Sequence, residues 1–288
     1  MNGPAPLDVV QQRLGLGCAR LGSVLGRDRS DALRLVQMAF DRGIRFFDTA
    51  STYGQGESER ILGTALRGRR DQVVIATKAG QHFPVWMKAA KPLKRIVSPL
   101  IRQSRTGRHL VSKVREAPLP QDFSDRHLRA SIDSSLERLK TDYADLVLLH
   151  SPPSEVITNG DALQSLERIR DAGKAVKIGV SCDDVESALL ALDDSRVEAI
   201  ELPLWPRTEA TTRFLDRARR RSVFVIGRGL MSAVSPAGGD DRWSAAGLAL
   251  LASLARPEIS RVLIGTTRLS HLAEALDLVQ STETPSCS

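Results

Sequence analysis

Short apolar runs alternate with longer amphipathic stretches along this chain of 288 residues. The runs have the length and aliphatic content of buried strands, whereas the stretches repeat apolar residues every three or four positions, as one face of a helix does. Eight strands are predicted, at 13–17, in a run that ends at residue 50, and at 73–78, 144–150, 177–181, 199–204, 223–227 and 261–265.

A helix is predicted after each strand. The first begins at a Ser30 cap and ends at Gly43, the second begins at Glu57, and the third is capped by Ser124. The other helices are predicted at 161–172, 184–192, 209–220, 244–255 and 270–279.

This strand–helix alternation is typical of a parallel sheet with crossover helices. Eight such units, with no sign of a separate second domain, favour the closed (β/α)8 TIM barrel of the α/β class; an open doubly wound sheet is the alternative. We predict a single domain over residues 1–288, with an insertion at about 81–122 after the third strand.

The formal net charge of +7 is concentrated in this insertion. Residues 82–118 contain nine of the 41 basic residues but one of the 34 acidic residues, so the remainder of the chain is nearly neutral. The charge therefore does not indicate a general nucleic-acid-binding protein.

Targeting and metal-binding patterns are not evident in the sequence. No apolar run approaches the roughly 18 residues of a membrane span, and the first residues lack the features of a secretory signal. The three cysteines have neither disulfide nor metal-site spacing. We expect a cytoplasmic protein that holds no metal ion.

Candidate chemistry lies at or just beyond the ends of strands two, three and four, where Asp48, Tyr53, Lys78 and His150 stand. The carboxyl ends of barrel strands form the catalytic face, so these side chains are expected to meet. We predict that Lys78, kept charged by Asp48, lowers the pKa of Tyr53. Tyr53 would then donate a proton to a carbonyl oxygen while a neutral His150 orients the carbonyl group.

Each of these residues also has an ordinary structural interpretation. Asp48 could cap the turn that follows it, Lys78 could be a solvated charge at the barrel rim, His150 could bond loop carbonyls, and Tyr53 could be a packed loop aromatic. Their order on consecutive strands favours the catalytic interpretation.

Several segments resemble the aldo-keto reductase family of the compact bacterial type. The resemblance covers nearly the whole chain and is carried by residues 14–19, Phe47-Asp48-Thr49-Ala50 with Tyr53-Gly54, residues 76–80, and the run 134–146 with His150. It implies a carbonyl reductase or alcohol dehydrogenase that uses a nicotinamide cofactor without metal. Its small-molecule substrate would be a carbonyl compound or an alcohol.

The positions that this resemblance assigns to the nicotinamide match the family less well. Ser181 matches a residue that holds the carboxamide, but Cys182 offers only a weak donor and Glu201 stands where glutamine is usual. Arg228 takes the place of a stacking aromatic residue. Its guanidinium could stack and favour the reduced cofactor, or form a structural salt bridge.

The last strand and helix resemble the family's adenosine-phosphate segment. Helix-start N–H groups, with Arg268 and His271, suit the 2′-phosphate of NADP, so NADPH is predicted over NADH. The predicted cofactor-binding residues are Gly17, Cys18, Asp48, Ser181, Cys182, Glu201, Arg228, Gly229, Gly265, Thr266, Thr267, Arg268, His271 and Glu274.

Two other functions stay open at the level of sequence. One is a cofactor-dependent enzyme that catalyses an elimination or epimerisation without net reduction, and the other is a cofactor-sensing regulatory subunit. The basic insertion has helical apolar spacing over 93–101. It is interpreted as a lid packed on the barrel, with acidic-substrate recognition, membrane-surface binding or contact within a homo-oligomer as alternatives.

Overall fold

Eight parallel strands close into a barrel in sequential order, each paired with its neighbours and the eighth with the first. The protein is seen in a computed structural model that describes residues 11–23, 28–84, 118–204, 208–230 and 241–283. The predicted TIM barrel is confirmed, and the open sheet is wrong. The strands are β1 Leu14–Gly17, β2 Phe46–Asp48, β3 Val74–Ala79, β4 Ala144–His150, β5 Ala175–Ser181, β6 Ala199–Pro203, β7 Phe224–Arg228 and β8 Arg261–Ile264.

Helices follow every strand and cover the outside of the barrel. They are α1 Arg29–Asp41, α2 Glu57–Ala65, α3 Asp125–Leu139, α4 Ser154–Asn159, α5 Asp161–Asp171, α6 Val185–Ala191, α7 Glu209–Arg220, α8 Asp241–Leu254 and α9 Leu269–Glu283.

Two predictions about helix starts have different outcomes. The Ser124 side chain accepts a hydrogen bond from the His127 backbone N–H, which confirms the predicted cap of α3. The predicted cap at Ser30 is wrong: Asp28 accepts from the Asp31 backbone, and the Ser30 hydroxyl donates to Asp28. An ionised carboxylate is the stronger acceptor at this helix start.

Side chains alternate between the barrel interior and the helices, because successive residues of a strand point to opposite faces. Near the amino ends of the strands the interior is apolar, filled by a buried cluster of Phe46, Ala76, Leu146, Leu148, Ala199, Ile226 and Leu263. Two residues further along several strands, the inward positions become polar. This switch from apolar to polar defines one end of the barrel as the candidate site.

Gly179 lets two strands approach closely within this wall. A Cβ atom at this position would lie 1.8 Å from the Ala199 carbonyl oxygen on β6, so no larger side chain fits without moving the backbone. The glycine thereby allows β5 and β6 to carry Ser181 and Glu201 side by side.

Most of the predicted insertion at 81–122 lies outside the described residues. Its described ends are joined by an antiparallel bridge between Gln81 and Gln121, and the His82 backbone N–H donates to the Pro120 carbonyl at 2.9 Å. In the part of the chain that the structure describes, no helix combines the length and apolar character that a membrane crossing requires.

Candidate active site

The inward positions at the ends of β2, β3 and β4 bring three of the predicted catalytic residues together. Asp48 and Lys78 are almost completely buried, and His150 is partly exposed at the barrel mouth. Tyr53 follows in a short turn at Tyr53–Gln55. Gly54 in that turn has φ +60°, and a Cβ atom there would lie 2.8 Å from the Leu21 carbonyl oxygen.

Lys78 is the centre of the site. Its ammonium donates to Asp48 Oδ1, to the Thr49 carbonyl oxygen at 3.2 Å and to the Tyr53 hydroxyl at 3.4 Å. A fully buried ammonium requires such partners, since an unpaired charge in the core costs several kcal/mol. The structure thus brings both the Asp48 carboxylate and the Tyr53 hydroxyl within hydrogen-bond reach of the Lys78 ammonium.

His150 completes the group on the other side of Tyr53. The two rings meet edge to face, with centroids 5.7 Å apart and planes at 85°. Burial, together with the positive charges of Lys78 and Arg228, lowers the pKa of His150 to about 3. The imidazole is therefore neutral at neutral pH, as expected for a ring that offers one N–H donor. Its buried Nδ1 has no hydrogen-bond partner among the described residues.

The pKa of Tyr53 moves in the direction opposite to the sequence-based expectation. Burial raises it, and although the Lys78 ammonium lowers it, the charges of Asp48 and Glu201 raise it further, to about 12. The expectation considered the ammonium but not the burial or the second carboxylate. With this pKa the phenol keeps its proton at neutral pH, which suits a proton donor.

Glu201 is a second carboxylate beside Lys78, a contact that the sequence-based expectation did not include. It is completely buried, and its Oε2 lies 3.1 Å from Lys78 Nζ. Burial, followed by the nearby charge of Glu201, raises the pKa of Asp48, and the Lys78 ammonium acts in the opposite direction and favours the ionised carboxylate. The lysine is therefore shared by two acids at the ends of β2 and β6.

Arg228 at the end of β7 forms the salt bridge that was one of its two predicted interpretations. Its Nε lies 3.3 Å from Glu201 Oε1, and its Nη2 donates to Asp183 Oδ1 at 2.9 Å and to the Cys182 carbonyl at 2.8 Å. These contacts engage the guanidinium along the rim of the barrel. Its planar face as a stacking surface for a ring stays a prediction.

The other residues predicted near the nicotinamide lie at the ends of β1, β5 and β7. Ser181 points inward and is nearly fully buried beside Glu201. The thiols of Cys18 and Cys182 are also buried, and burial raises the pKa of each thiol. Gly17 ends β1 next to Asp48, and Gly229 follows Arg228 with φ +80°.

The residues predicted to hold the adenosine phosphates gather where β8 passes into α9. No atom of the described residues lies within 4 Å of a Cβ atom built on Gly265, so this part of the chain leaves the backbone there open to an approaching group. The Thr266 hydroxyl accepts from the Arg268 backbone N–H at 3.1 Å, which shapes the turn before the helix. Thr267 lies in this turn and Arg268 directly precedes α9. Arg268 and Glu274 are exposed, and His271 is partly exposed.

A second buried ion pair lies on the outer side of β3. Arg138 Nε on α3 lies 2.6 Å from the completely buried Glu59 on α2, and Glu59 also accepts from the Thr77 hydroxyl at 2.8 Å. Thr77 precedes Lys78 and points the opposite way. The pair thus holds the strand that carries the lysine but does not face the barrel interior.

Within 11–23, 28–84, 118–204, 208–230 and 241–283, no three His, Cys, Asp or Glu side chains are grouped in a way that could hold a metal ion.

Known proteins resemble this chain in sequence and in fold. It is 30% identical to the aldo-keto reductase YhdN of Bacillus subtilis over 63% of its length, and 34% identical to D-threo-aldose 1-dehydrogenase of a Pseudomonas species over 59%. These alignments span 46% and 50% of the relatives' own lengths. A Klebsiella pneumoniae aldo-keto reductase in complex with NADPH shares the fold with a TM-score of 0.65 at 18% identity, covering 93% of this chain and 85% of that one.

The family model gives the broader assignment. The model of the aldo/keto reductase family matches residues 13–202, about two thirds of the sequence, and this range contains β1 to β5 and most of β6. The matched range includes the four predicted catalytic residues, which are Asp48, Tyr53, Lys78 and His150. The chain therefore belongs to the aldo/keto reductase family.

Proposed function

We propose that this protein is an NADPH-dependent carbonyl reductase in which Tyr53 is the proton donor. The observation that carries the proposal is the position of the Tyr53 hydroxyl, 3.4 Å from a buried ammonium and edge to face with a neutral imidazole. Bound NADPH supplies the hydride for carbonyl reduction. The chain itself supplies the proton that the carbonyl oxygen takes up, so that the product is an alcohol.

The four residues divide the proton chemistry among them. Tyr53 releases its proton to the substrate oxygen as negative charge develops there, and Lys78 stabilises the phenolate that remains. Asp48 holds the ammonium in place. The neutral His150 donates from a ring N–H to the same substrate oxygen and so orients the carbonyl group. In the reverse direction, the phenolate accepts the proton of an alcohol.

The end of β8 fits the phosphates of a dinucleotide. The open backbone at Gly265 and the amino end of the 15-residue helix α9 offer N–H donors, and Arg268 adds a cation. A guanidinium is suited to the extra phosphate that distinguishes NADP from NAD. The NADPH complex of the Klebsiella relative supports the same preference, which is why we propose NADPH over NADH.

Sugars in the lactol form are the first substrate class to examine beside simple aldehydes and ketones. The relative at 34% identity is a dehydrogenase of D-threo-aldoses, although the chain spans half of its length.

A cytoplasmic location and a homo-oligomer formed through the insertion remain predictions.

The proposal is tested by mixing the protein with NADPH or NADH and a panel of aldehydes, ketones and sugar lactols, while the absorbance of the reduced cofactor is followed. Tyr53→Phe should lower turnover by about a thousandfold, because it removes the proton donor, and should leave cofactor binding unchanged.

Tyr143→Phe is the matched control, since Tyr143 is the other of two tyrosines and lies beneath the Arg70 guanidinium, 4.0 Å from the ring centre. It should retain wild-type turnover. Wild-type rates in Tyr53→Phe would contradict the proposal.

A further inference from the structure

Two acids and two cations alternate across the inner mouth of the barrel. Asp48 contacts Lys78, Lys78 lies 3.1 Å from Glu201, and Glu201 lies 3.3 Å from Arg228. Arg228 in turn contacts Asp183, whose side chain is largely exposed at the rim. Glu201 is the link in this row that joins the lysine beside Tyr53 to the arginine on the far side.

Both oxygens of Glu201 face cations of the protein itself. Oε2 lies toward Lys78 and Oε1 toward Arg228, each within ion-pair distance of the cation. The contacts are therefore mainly ionic, and they are strong because the carboxylate is completely buried. A neutral amide at this position would keep the shape of the side chain and lose both attractions.

We propose that Glu201 is a positioning residue that, together with Arg228, governs how readily the Tyr53 hydroxyl releases its proton. It shares the Lys78 ammonium with Asp48, so the attraction that this ammonium can exert on a phenolate is divided between two carboxylates. The inference rests on the proposed function in assigning the proton transfer to Tyr53.

Charged and titratable groups face Tyr53 and Lys78 from six of the eight strands. They are Cys18 after β1, Asp48 on β2, His150 on β4, Cys182 and Asp183 after β5, Glu201 on β6 and Arg228 on β7. His150 is neutral, and the thiols of Cys18 and Cys182 are buried with raised pKa values. Glu201 and Arg228 are thus the charges on the far side of the mouth that act on Tyr53 with opposite sign.

This arrangement favours the protonated phenol and therefore the direction of carbonyl reduction at neutral pH. Removing the negative charge of Glu201 would make the phenolate easier to form, whereas removing the positive charge of Arg228 would make it harder. The two substitutions are therefore predicted to shift the pH at which half of Tyr53 is ionised in opposite directions. A purely structural role for the ion pair predicts no such opposition.

The test is an absorbance titration of tyrosinate in the cofactor-free protein after rapid pH jumps. Each variant is compared with the same variant carrying Tyr53→Phe, so that the difference isolates Tyr53 from Tyr143. Glu201→Gln should lower the Tyr53 midpoint by about one pH unit, Arg228→Gln should raise it, and the double variant should lie between them.

Asp183→Asn is the matched control, because it removes an acid that contacts the same arginine but not Lys78. Its midpoint should move much less than that of Glu201→Gln. Equal midpoints in wild type and Glu201→Gln, or an equal change in Asp183→Asn, would overturn the proposal. Should Glu201→Gln fail to fold, Arg228→Gln decides alone: a raised midpoint supports the proposal, and an unchanged one overturns it.

Alcohol oxidation by the cofactor-loaded protein gives a second readout, since it requires the phenolate. Glu201→Gln should lower the pH at which oxidation reaches half of its maximal rate, and Arg228→Gln should raise it. The titration needs no turnover, so opposite midpoint changes in a protein that reduces no carbonyl would retain this inference while the proposed function fails. Normal carbonyl reduction with unchanged Tyr53 midpoints would support the proposed function and overturn this inference.

Discussion

The two sides of the barrel mouth differ in how closely they follow the family. On the side of β2 to β4, Asp48, Tyr53, Lys78 and His150 correspond to the family pattern and gather within contact distance. On the side of β5 to β8, Cys182, Glu201 and Arg228 depart from the pattern, and Glu201 and Arg228 pair with each other. The comparison indicates that the four residues on the β2–β4 side can be retained while their electrostatic surroundings change.

The largest effect should come from Lys78→Met, which tests whether the β2–β4 side is a proton-transfer site or only a buried ion cluster. It leaves Asp48 and Glu201 without their shared cation and should reduce the free energy of unfolding by about 3–5 kcal/mol. Turnover of the folded protein should fall at least about a hundredfold, because the phenolate loses its stabilising charge. Denaturant unfolding and steady-state kinetics measure the two effects separately.

Arg138→Met is the matched variant for this comparison. It likewise leaves a buried acid, Glu59, without its cation and should reduce the free energy of unfolding by a similar amount, about 3–5 kcal/mol. Arg138, however, lies outside the barrel interior. The fraction that remains folded should keep wild-type turnover. A hundredfold loss in this variant as well would mean that activity reports only on stability.

An effect that is smaller for each pH unit should appear in the acid range through His150. Its pKa is about 3 in the folded protein, against about 6.5 for a free histidine, so between these values the unfolded chain binds a proton that the native site refuses. As far as His150 is concerned, the free energy of unfolding is therefore highest above pH 6.5. It falls as the pH is lowered toward 3, by up to about 1.4 kcal/mol per pH unit.

His150→Gln should remove this contribution and make stability less dependent on pH. The midpoint of urea unfolding, measured at several pH values in this window, reports the slope for wild type and variant. Identical slopes would show that His150 accepts a proton in the folded state, and the neutral donor assigned to it would be wrong.

The smallest effect is expected on the β8 side. Arg268→Ala should weaken NADPH binding by about tenfold, because a charge-assisted contact to the 2′-phosphate is lost, and should leave NADH binding unchanged. Fluorescence titration with each cofactor measures both constants, and Arg268→Lys, which keeps the charge, should lose less. Equal weakening of NADPH and NADH binding would contradict the assignment of Arg268 to that phosphate.

Local signals in the sequence predicted most of the barrel. The strand carrying His150 was predicted with its observed bounds, because a short apolar run at 146–149 is followed by His150 and then by the turn residues Ser151-Pro152-Pro153. The short helix Ser154–Asn159 was missed, since it follows two prolines in a segment that has the composition of a loop. The cap at Asp28 was missed because serine and aspartate are both good caps and stand two residues apart.

The site was predictable as a set of residues but not as a set of charges. Asp48, Lys78 and His150 lie at or near the carboxyl ends of three neighbouring strands, so their meeting follows from barrel topology. The pairing of Lys78 with Glu201 joins β3 to β6, and it depends on both side chains pointing inward at one height. An inward glutamate level with Ser181 was the signal that could have revealed it. The direction of the change in the Tyr53 pKa was wrong because burial was not considered, and after it the charge of this second acid.

The central claim is that this barrel couples the Tyr53 proton to reduction of a carbonyl group by NADPH. Parallel assays of NADPH oxidised and alcohol formed, over the panel of aldehydes, ketones and sugar lactols, test it most directly. The account predicts equal amounts of both for at least one carbonyl compound. Product formed without loss of NADPH, or tight NADPH binding with no carbonyl compound reduced, would contradict it.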